Sequence, residues 1–244
     1  SEKVDFQLLD QQLQLAGNFK GKTYFLPGDH EWKSLDINKI DKIEDYIKEQ
    51  KRVTAEEECP LKQIHVDDSL DLVLVNSKWF TTDWDKLESI NETCTDIVTP
   101  RQFLERMQNY INDAQGKNLI IATYHPIFSN GRYSGEYTFG SQMLPLPLVG
   151  SLVSSIESMA GLSEGFTSSP RYNAFRVMMS YVAQESDRIT FISGHEKSLQ
   201  YLVGQNGTHQ IISGALGDTQ ATKRSKGSIS TSGGTLMYEG AYTN

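Results

Sequence analysis

Apolar and polar residues alternate along the chain in short blocks. Several blocks read as buried strands bounded by turn residues: Thr23–Leu26, Leu72–Val75, Leu119–Thr123, Ile189–Ile192, Gln210–Ile212 and Thr235–Tyr238. Between them, apolar residues recur at helical spacing. Ile37, Ile40, Ile43 and Ile47 line one helix face, and Phe103, Leu104, Met107 and Ile111 line another. The second helix has a start signal: Thr99 as N-cap, Pro100 in the first turn and Gln102 three residues beyond the cap. A third helix is predicted from about Pro170, with Tyr172, Phe175, Met179 and Val182 on one side. Strands interleaved with helices predict an α/β (α+β) fold, and with no composition break, residues 1–244 read as a single domain.

Composition narrows the function classes. At 244 residues, 38% hydrophobic and 22% charged, the chain is long enough and apolar enough to bury a core. A net charge of −8 argues against nucleic acid as a partner, since phosphate binders carry a basic stripe. It argues equally against electrostatic attachment to an anionic bilayer. No uninterrupted apolar run reaches the roughly 18 residues of a membrane span; the richest stretch, Leu144–Val153, is short and interrupted by Pro145 and Pro147. The segment Thr222–Gly234, rich in Ser, Thr, Gly and Lys, reads as a flexible loop. The chain starts at Ser1 with no charged-then-apolar leader, so any targeting signal is expected to have been removed. Asn91 and Asn206 head Asn-x-Thr sequons, which matter only in a glycosylating secretory pathway. Cys59 and Cys94, taken alone, fit two unpaired buried thiols more readily than one disulfide.

The chemistry concentrates at three strand ends. Tyr24-Phe25-Leu26-Pro27 runs into Gly28-Asp29-His30-Glu31. Ile120-Ile121-Ala122-Thr123 runs into Tyr124-His125-Pro126. Thr190-Phe191-Ile192-Ser193 runs into Gly194-His195-Glu196-Lys197. Each is a buried strand that ends in a turn with a histidine at its tip, and in α/β sheets ligands gather at the carboxyl ends of strands. A Gly or Pro beside each histidine allows the sharp turn that presents the ring. Imidazoles with a carboxylate suit zinc, iron or manganese. His65 and His209 lack this turn context and read as ordinary surface or edge residues. Trp79, Phe80 and Trp84 read as core and edge packing. Asn130, Gly131 and Arg132 form a loop near the site, with Arg132 either solvated or on a phosphate. The apolar, proline-kinked segment Gln142–Val153 reads either as a lid or partner surface or as packing on the sheet.

The order Gly-Asp-His-Glu, Tyr-His-Pro, Gly-His-x-Lys resembles the calcineurin-like metallophosphoesterase family, whose usual forms are Gly-Asn-His-Asp/Glu, His-His-Pro or similar, and Gly-His-x-His. The resemblance covers nearly the whole chain. Residues 72–84, 118–131 and 193–214 are especially similar to a bacterial extracytoplasmic branch, in which the domain is often associated with the outer membrane and sometimes fused to a β-barrel. It implies a metallophosphoesterase-type β-sandwich flanked by helices, with two metal ions that activate water for attack on phosphorus. Cysteines near 59 and 94 recur in that branch, so the resemblance favours a Cys59–Cys94 disulfide and a periplasmic or outer-membrane-associated location.

Carried over by position, Asp29 takes the place of a metal-binding Asn, His30 that of the histidine that contacts phosphate and protonates the leaving oxygen, and His125 and His195 those of two ligands of the second metal. Lys197 stands where the last ligand of the first metal belongs. A protonated lysine has no lone pair to donate; its ammonium would stand where a cation stood, or point to solvent. The family's Asp-x-His and Gly-Asp do not occur before Tyr24. The N-terminal strands that carry them are therefore expected to be missing, with another chain segment or a protein partner covering the open sheet. The surviving ligands all belong to the second metal. The expectation is one divalent transition metal (Mn, Zn or Fe) on those ligands, with the first metal's site lost, and weak or absent activity on a phosphoester. The alternative is a non-catalytic scaffold in an outer-membrane complex.

Overall fold

The computed structural model describes residues 6–32, 37–50, 53–55, 59–82, 94–129, 131, 170–203, 207–215 and 219–220. In chain order the elements are α1 (Phe6–Gly17), β1 (Thr23–Phe25), α2 (Ile37–Lys48), β2 (Val53–Ala55), β3 (Leu61–Asp67), β4 (Leu70–Val75), α3 (Ser77–Thr81), α4 (Pro100–Asp113), β5 (Asn118–Thr123), α5 (Pro170–Val182), β6 (Ile189–Ser193), β7 (Leu199–Val203) and β8 (His209–Ser213). Six strands form one mixed sheet in the order β3-β4-β5-β6-β8-β7, and β1 pairs with β2 in a separate parallel ribbon. The fold is thus mixed α/β, a six-stranded sheet flanked by helices. The expected strand at Thr235–Tyr238 lies outside the described residues, as do Trp84, Asn130, Arg132, both sequons, the loop Thr222–Gly234 and the segment Gln142–Val153.

The sequence pattern explains the sheet. Strands β4, β5, β6 and β8 run parallel in the middle, while β3 and β7 are antiparallel edges. Strands β5 and β6 alternate buried and half-buried positions, placing Leu119, Ile121, Ile189 and Phe191 in the core. His65 lies on the edge strand β3 with its Nδ1 3.0 Å from Asp71 Oδ1, and His209 lies on β8 with its Nδ1 2.6 Å from the hydroxyl of Tyr201 on the edge strand β7. Neither histidine belongs to the strand-end set.

Helices α4 and α5 cover the sheet with the faces their spacing predicts. Thr99 caps α4, its hydroxyl accepting from the Gln102 amide at 3.2 Å, while the Gln102 side chain reaches back to accept from the Val98 amide at 3.0 Å. Phe103, Leu104, Met107 and Ile111 are buried, as are Tyr172, Phe175, Met179 and Val182 on α5. The short helix α3 is buried along its whole length between them. Its Trp79 stacks on Phe103 with ring centroids 5.9 Å apart, and Phe80 meets Phe103 and Phe175 at 5.3 and 5.5 Å. Both residues serve the core, as expected. Cys59 and Cys94 are bonded, joining the chain just before β3 to the segment leading into α4.

A smaller apolar cluster joins α1, α2 and β1, with Leu13 and Ile47 buried and Leu9, Ala16, Phe25, Ile43 and Tyr46 packed against them. The ribbon carries Gly28 and Asp29 past its end to the main sheet.

Candidate metal centre

Strand register assembles the site. Val75 on β4 lies opposite Thr123 on β5, and Thr123 lies opposite Ser193 on β6. Two residues beyond that row stand Ser77, His125 and His195. Three parallel strands in register thus deliver three side chains to one rim, with the rings of His125 and His195 4.8 Å apart. Asp29 arrives from the β1 ribbon. One ligand atom from each of Asp29, His125 and His195 lies within 4.8 Å of the others.

Each side chain has an anchor. Ser77 Oγ accepts from the backbone N–H of His125 at 3.0 Å and shares a second hydrogen bond with His125 Nδ1 at 2.9 Å. The Tyr172 hydroxyl donates to the Pro126 carbonyl at 2.8 Å, and Arg176 Nε donates to the Ile127 carbonyl at 2.7 Å, so α5 fixes the turn that carries His125. His195 sits at φ 62°, in the left-handed region, inside a tight turn closed by the Glu196 amide donating to the Gly194 carbonyl at 2.7 Å. Such backbone persists where surroundings enforce it, and it concentrates at functional sites. Here Glu196 is buried; a Cβ on Gly131 would lie 2.0 Å from its carboxylate and one on Gly214 1.8 Å from its carbonyl oxygen.

Asp29 uses its two oxygens differently. Oδ1 lies 3.2 Å from Lys78 Nζ and 4.0 Å from His125 Nε2. Oδ2 lies 3.5 Å from His195 Nδ1 and accepts from the Tyr124 hydroxyl at 3.3 Å. Gly28 makes room for that tyrosine: a Cβ there would sit 2.6 Å from the ring.

The electrostatics favour ligation. Burial pushes the His125 pKa well below its usual value, and the nearby His195 and Lys78 push the same way. His195 is also lowered, because burial outweighs the opposing pull of Asp29. Both rings are therefore neutral near pH 7 and keep a lone pair for a metal. Burial, then the Asp29 charge, holds the Tyr124 hydroxyl in its protonated, donating form.

The donor set fits one transition-metal ion. Zn–N and Zn–O bonds of about 2.1 Å at tetrahedral angles put ligand atoms roughly 3.4 Å apart, so the group would close on an ion with side-chain shifts of under about 1 Å. Three protein ligands leave an open coordination position, as in catalytic sites. Ser77 supplies the outer contact that orients a ligating imidazole when Nδ1 carries the proton and Nε2 faces the ion.

Other expected residues lie elsewhere. His30 is exposed beside Asp29, outside the group of three, with its carbonyl accepting from Lys39 Nζ at 3.0 Å. Lys197 is half-buried, and its carbonyl accepts from the Gln220 amide. The lysine found against Asp29 is Lys78, which the sequence reading passed over together with Ser77 and Tyr124. A signal existed: Ser77 follows its strand at the offset at which His125 and His195 follow theirs.

Next to the centre lies a cavity of about 280 Å³, apolar along Leu9, Phe25, Ile40, Ile43 and Ile47. Asp29, His30, Glu31 and Tyr124 also line it, so it meets the centre at Asp29 and Tyr124.

No family model matches the chain, and no curated protein matches it. Among solved structures it is similar to GAP50, the anchor in the inner membrane complex of Plasmodium, at 14% identity and a TM-score of 0.35, over 69% of this chain and 40% of that one. It is also similar to a dimetal phosphatase from Danio rerio, at 8% identity and a TM-score of 0.31, over 62% of this chain and 48% of that one. The chain spans less than half the length of either.

Proposed function

We propose that residues 1–244 are a metallophosphoesterase-like domain whose surviving centre holds one divalent transition metal on Asp29, His125 and His195. The observation that carries this is the convergence of the three ligand atoms, from three separate strand ends, to within 4.8 Å of one another. When bound, the ion supplies Lewis-acid polarisation of a phosphoryl oxygen. The chain's own residues do the rest. Ser77 orients His125, Tyr124 and Lys78 hold the two oxygens of Asp29, and His30, exposed beside them, delivers a proton to the leaving oxygen. The apolar cavity takes the organic part of the ester. With one ion instead of two, turnover is weak. The Cys59–Cys94 disulfide supports an oxidising, extracytoplasmic location, periplasmic or outer-membrane-associated. No helix among the described residues is long and apolar enough to cross a membrane.

The test is cleavage of a chromogenic phosphodiester and a phosphomonoester by the purified protein with added manganese or zinc. Metal-dependent turnover that falls at least tenfold in H30A is expected. Turnover indifferent to H30A refutes the role given to His30, and no turnover with bound metal refutes the hydrolase.

A second reading, a non-catalytic scaffold, would use the exposed face of α1. Helix α1 leaves Leu8 57% and Leu15 59% exposed, seven residues apart on one face, with Phe19 60% exposed just beyond. Such a face suits a further chain segment or a partner in a membrane-associated complex. Inactivity together with loss of a copurifying protein in L8E/L15E would establish this reading.

A further inference from the structure

The proposed centre contains a charge that its metal chemistry does not call for. Lys78 follows Ser77 on α3, and its side chain is only 11% exposed while its Nζ lies 3.2 Å from Asp29 Oδ1. A buried ammonium needs a partner. Asp29, one of the three proposed metal ligands, is such a partner, so lysine and metal draw on the same carboxylate.

We propose that Lys78 is a resident second cation of the centre: its ammonium neutralises Asp29 in place of a second ion, limits the centre to one divalent metal, and holds that metal's affinity down. The inference rests on the metal site proposed above.

Three observations point this way. The two oxygens of Asp29 are divided, with Lys78 and His125 facing Oδ1 and His195 and Tyr124 facing Oδ2, so the lysine fixes the carboxylate while each oxygen still faces a histidine. Asp29 Oδ1 stands closer to Lys78 Nζ, at 3.2 Å, than to His125 Nε2, at 4.0 Å, so the ammonium is the nearer claimant on that oxygen. Finally, α3 has no freedom to withdraw the lysine. It is buried throughout, its Asn76 N-cap accepts from the Trp79 amide at 3.1 Å, and Trp79 and Phe80 lock it into the core. A divalent ion on Asp29 must therefore bind against a positive charge a few ångströms away. Repulsion at that range, in a half-buried site, lowers affinity by about tenfold or more.

A merely structural ion pair predicts the opposite. Removing such a lysine would loosen Asp29 and weaken metal binding or leave it unchanged.

The experiment is calorimetric titration of Zn²⁺, then Mn²⁺, into chelator-stripped wild type, K78M, K78Q and K78R, with near-ultraviolet circular dichroism confirming the fold. The expected result is one ion per wild-type chain, at least tenfold tighter binding in K78M and K78Q, and wild-type affinity in K78R. Two ions per wild-type chain overturn the inference, as does equal or weaker binding in the folded neutral variants. If K78M does not fold, K78Q and the wild-type stoichiometry decide. If wild type binds nothing, the proposed function fails; binding gained in K78Q then still supports the lysine's role, and binding by neither overturns both.

Discussion

Removing one hydroxyl, in Ser77→Ala, tests whether the centre is built as described. Ser77 is completely buried, and its Oγ serves His125 twice, accepting from the backbone N–H at 3.0 Å and meeting Nδ1 at 2.9 Å. Alanine satisfies neither. Each buried polar group left without a partner costs about 1–3 kcal/mol. Partial relaxation brings the sum to about 2–4 kcal/mol, a large share of a typical 5–15 kcal/mol stability. The Nδ1 contact also fixes ring orientation, and losing an outer-shell partner of this kind weakens metal affinity roughly 10–100-fold. Urea unfolding in the presence of chelator reads the first quantity, and zinc titration against a competing chelator reads the second. A stability change below about 0.5 kcal/mol, or an unchanged zinc affinity in folded S77A, refutes the reasoning.

Three further predictions follow from the same geometry. Gly28→Ala places a Cβ 2.6 Å from the Tyr124 ring; overpacking of this kind costs about 1–3 kcal/mol, and zinc affinity should fall with loss of the Tyr124–Asp29 bond, whereas wild-type affinity in G28A contradicts the contact. Burial lowers the pKa values of both His125 and His195 in the folded chain, so the unfolded chain binds more protons in acid; metal-free stability should be full above pH 6.5 and fall as the pH drops below it, with a shallower slope in H125Q, and a flat profile from pH 7 to 5 refutes this. Reducing the Cys59–Cys94 bond frees a 35-residue span, worth about 4 kcal/mol of chain entropy, so chemical denaturation with and without reductant should differ by that order; coincident curves contradict it.

Much of the sheet and its rim was legible in the sequence because each central strand is locally self-declaring. A run such as Leu119–Thr123 is apolar, β-prone and stopped by a turn, and the histidine lies at a fixed offset beyond it. Helix α4 was legible for the same reason: Thr99 and Gln102 write its start into the chain. What escaped was decided by tertiary contact. Strands β3 and β7 are edges, β7 exposed at alternate positions and β3 over its last three residues, so their apolar signal is diluted. Helix α1 buries little beyond Leu13 and draws its packing from α2 and Phe25. Helix α3 is one turn long, too short for periodicity, and only the three-dimensional fold shows that it is buried. Lys78 is the clearest case. Lysine ordinarily faces solvent, and nothing near it in sequence announces a carboxylate; Asp29 reaches it from another layer of the fold. Family position drew notice to Lys197, whereas the lysine that meets Asp29 follows strand register.

The central claim is that Asp29, His125 and His195 bind one metal ion together. X-ray absorption at the zinc edge, on protein loaded with one equivalent of Zn²⁺, tests it most directly. Two imidazoles and at least one oxygen at about 2.0–2.1 Å are expected, with one imidazole lost in H125A and another in H195A. A spectrum without histidine scattering, or one unchanged by either substitution, would contradict it.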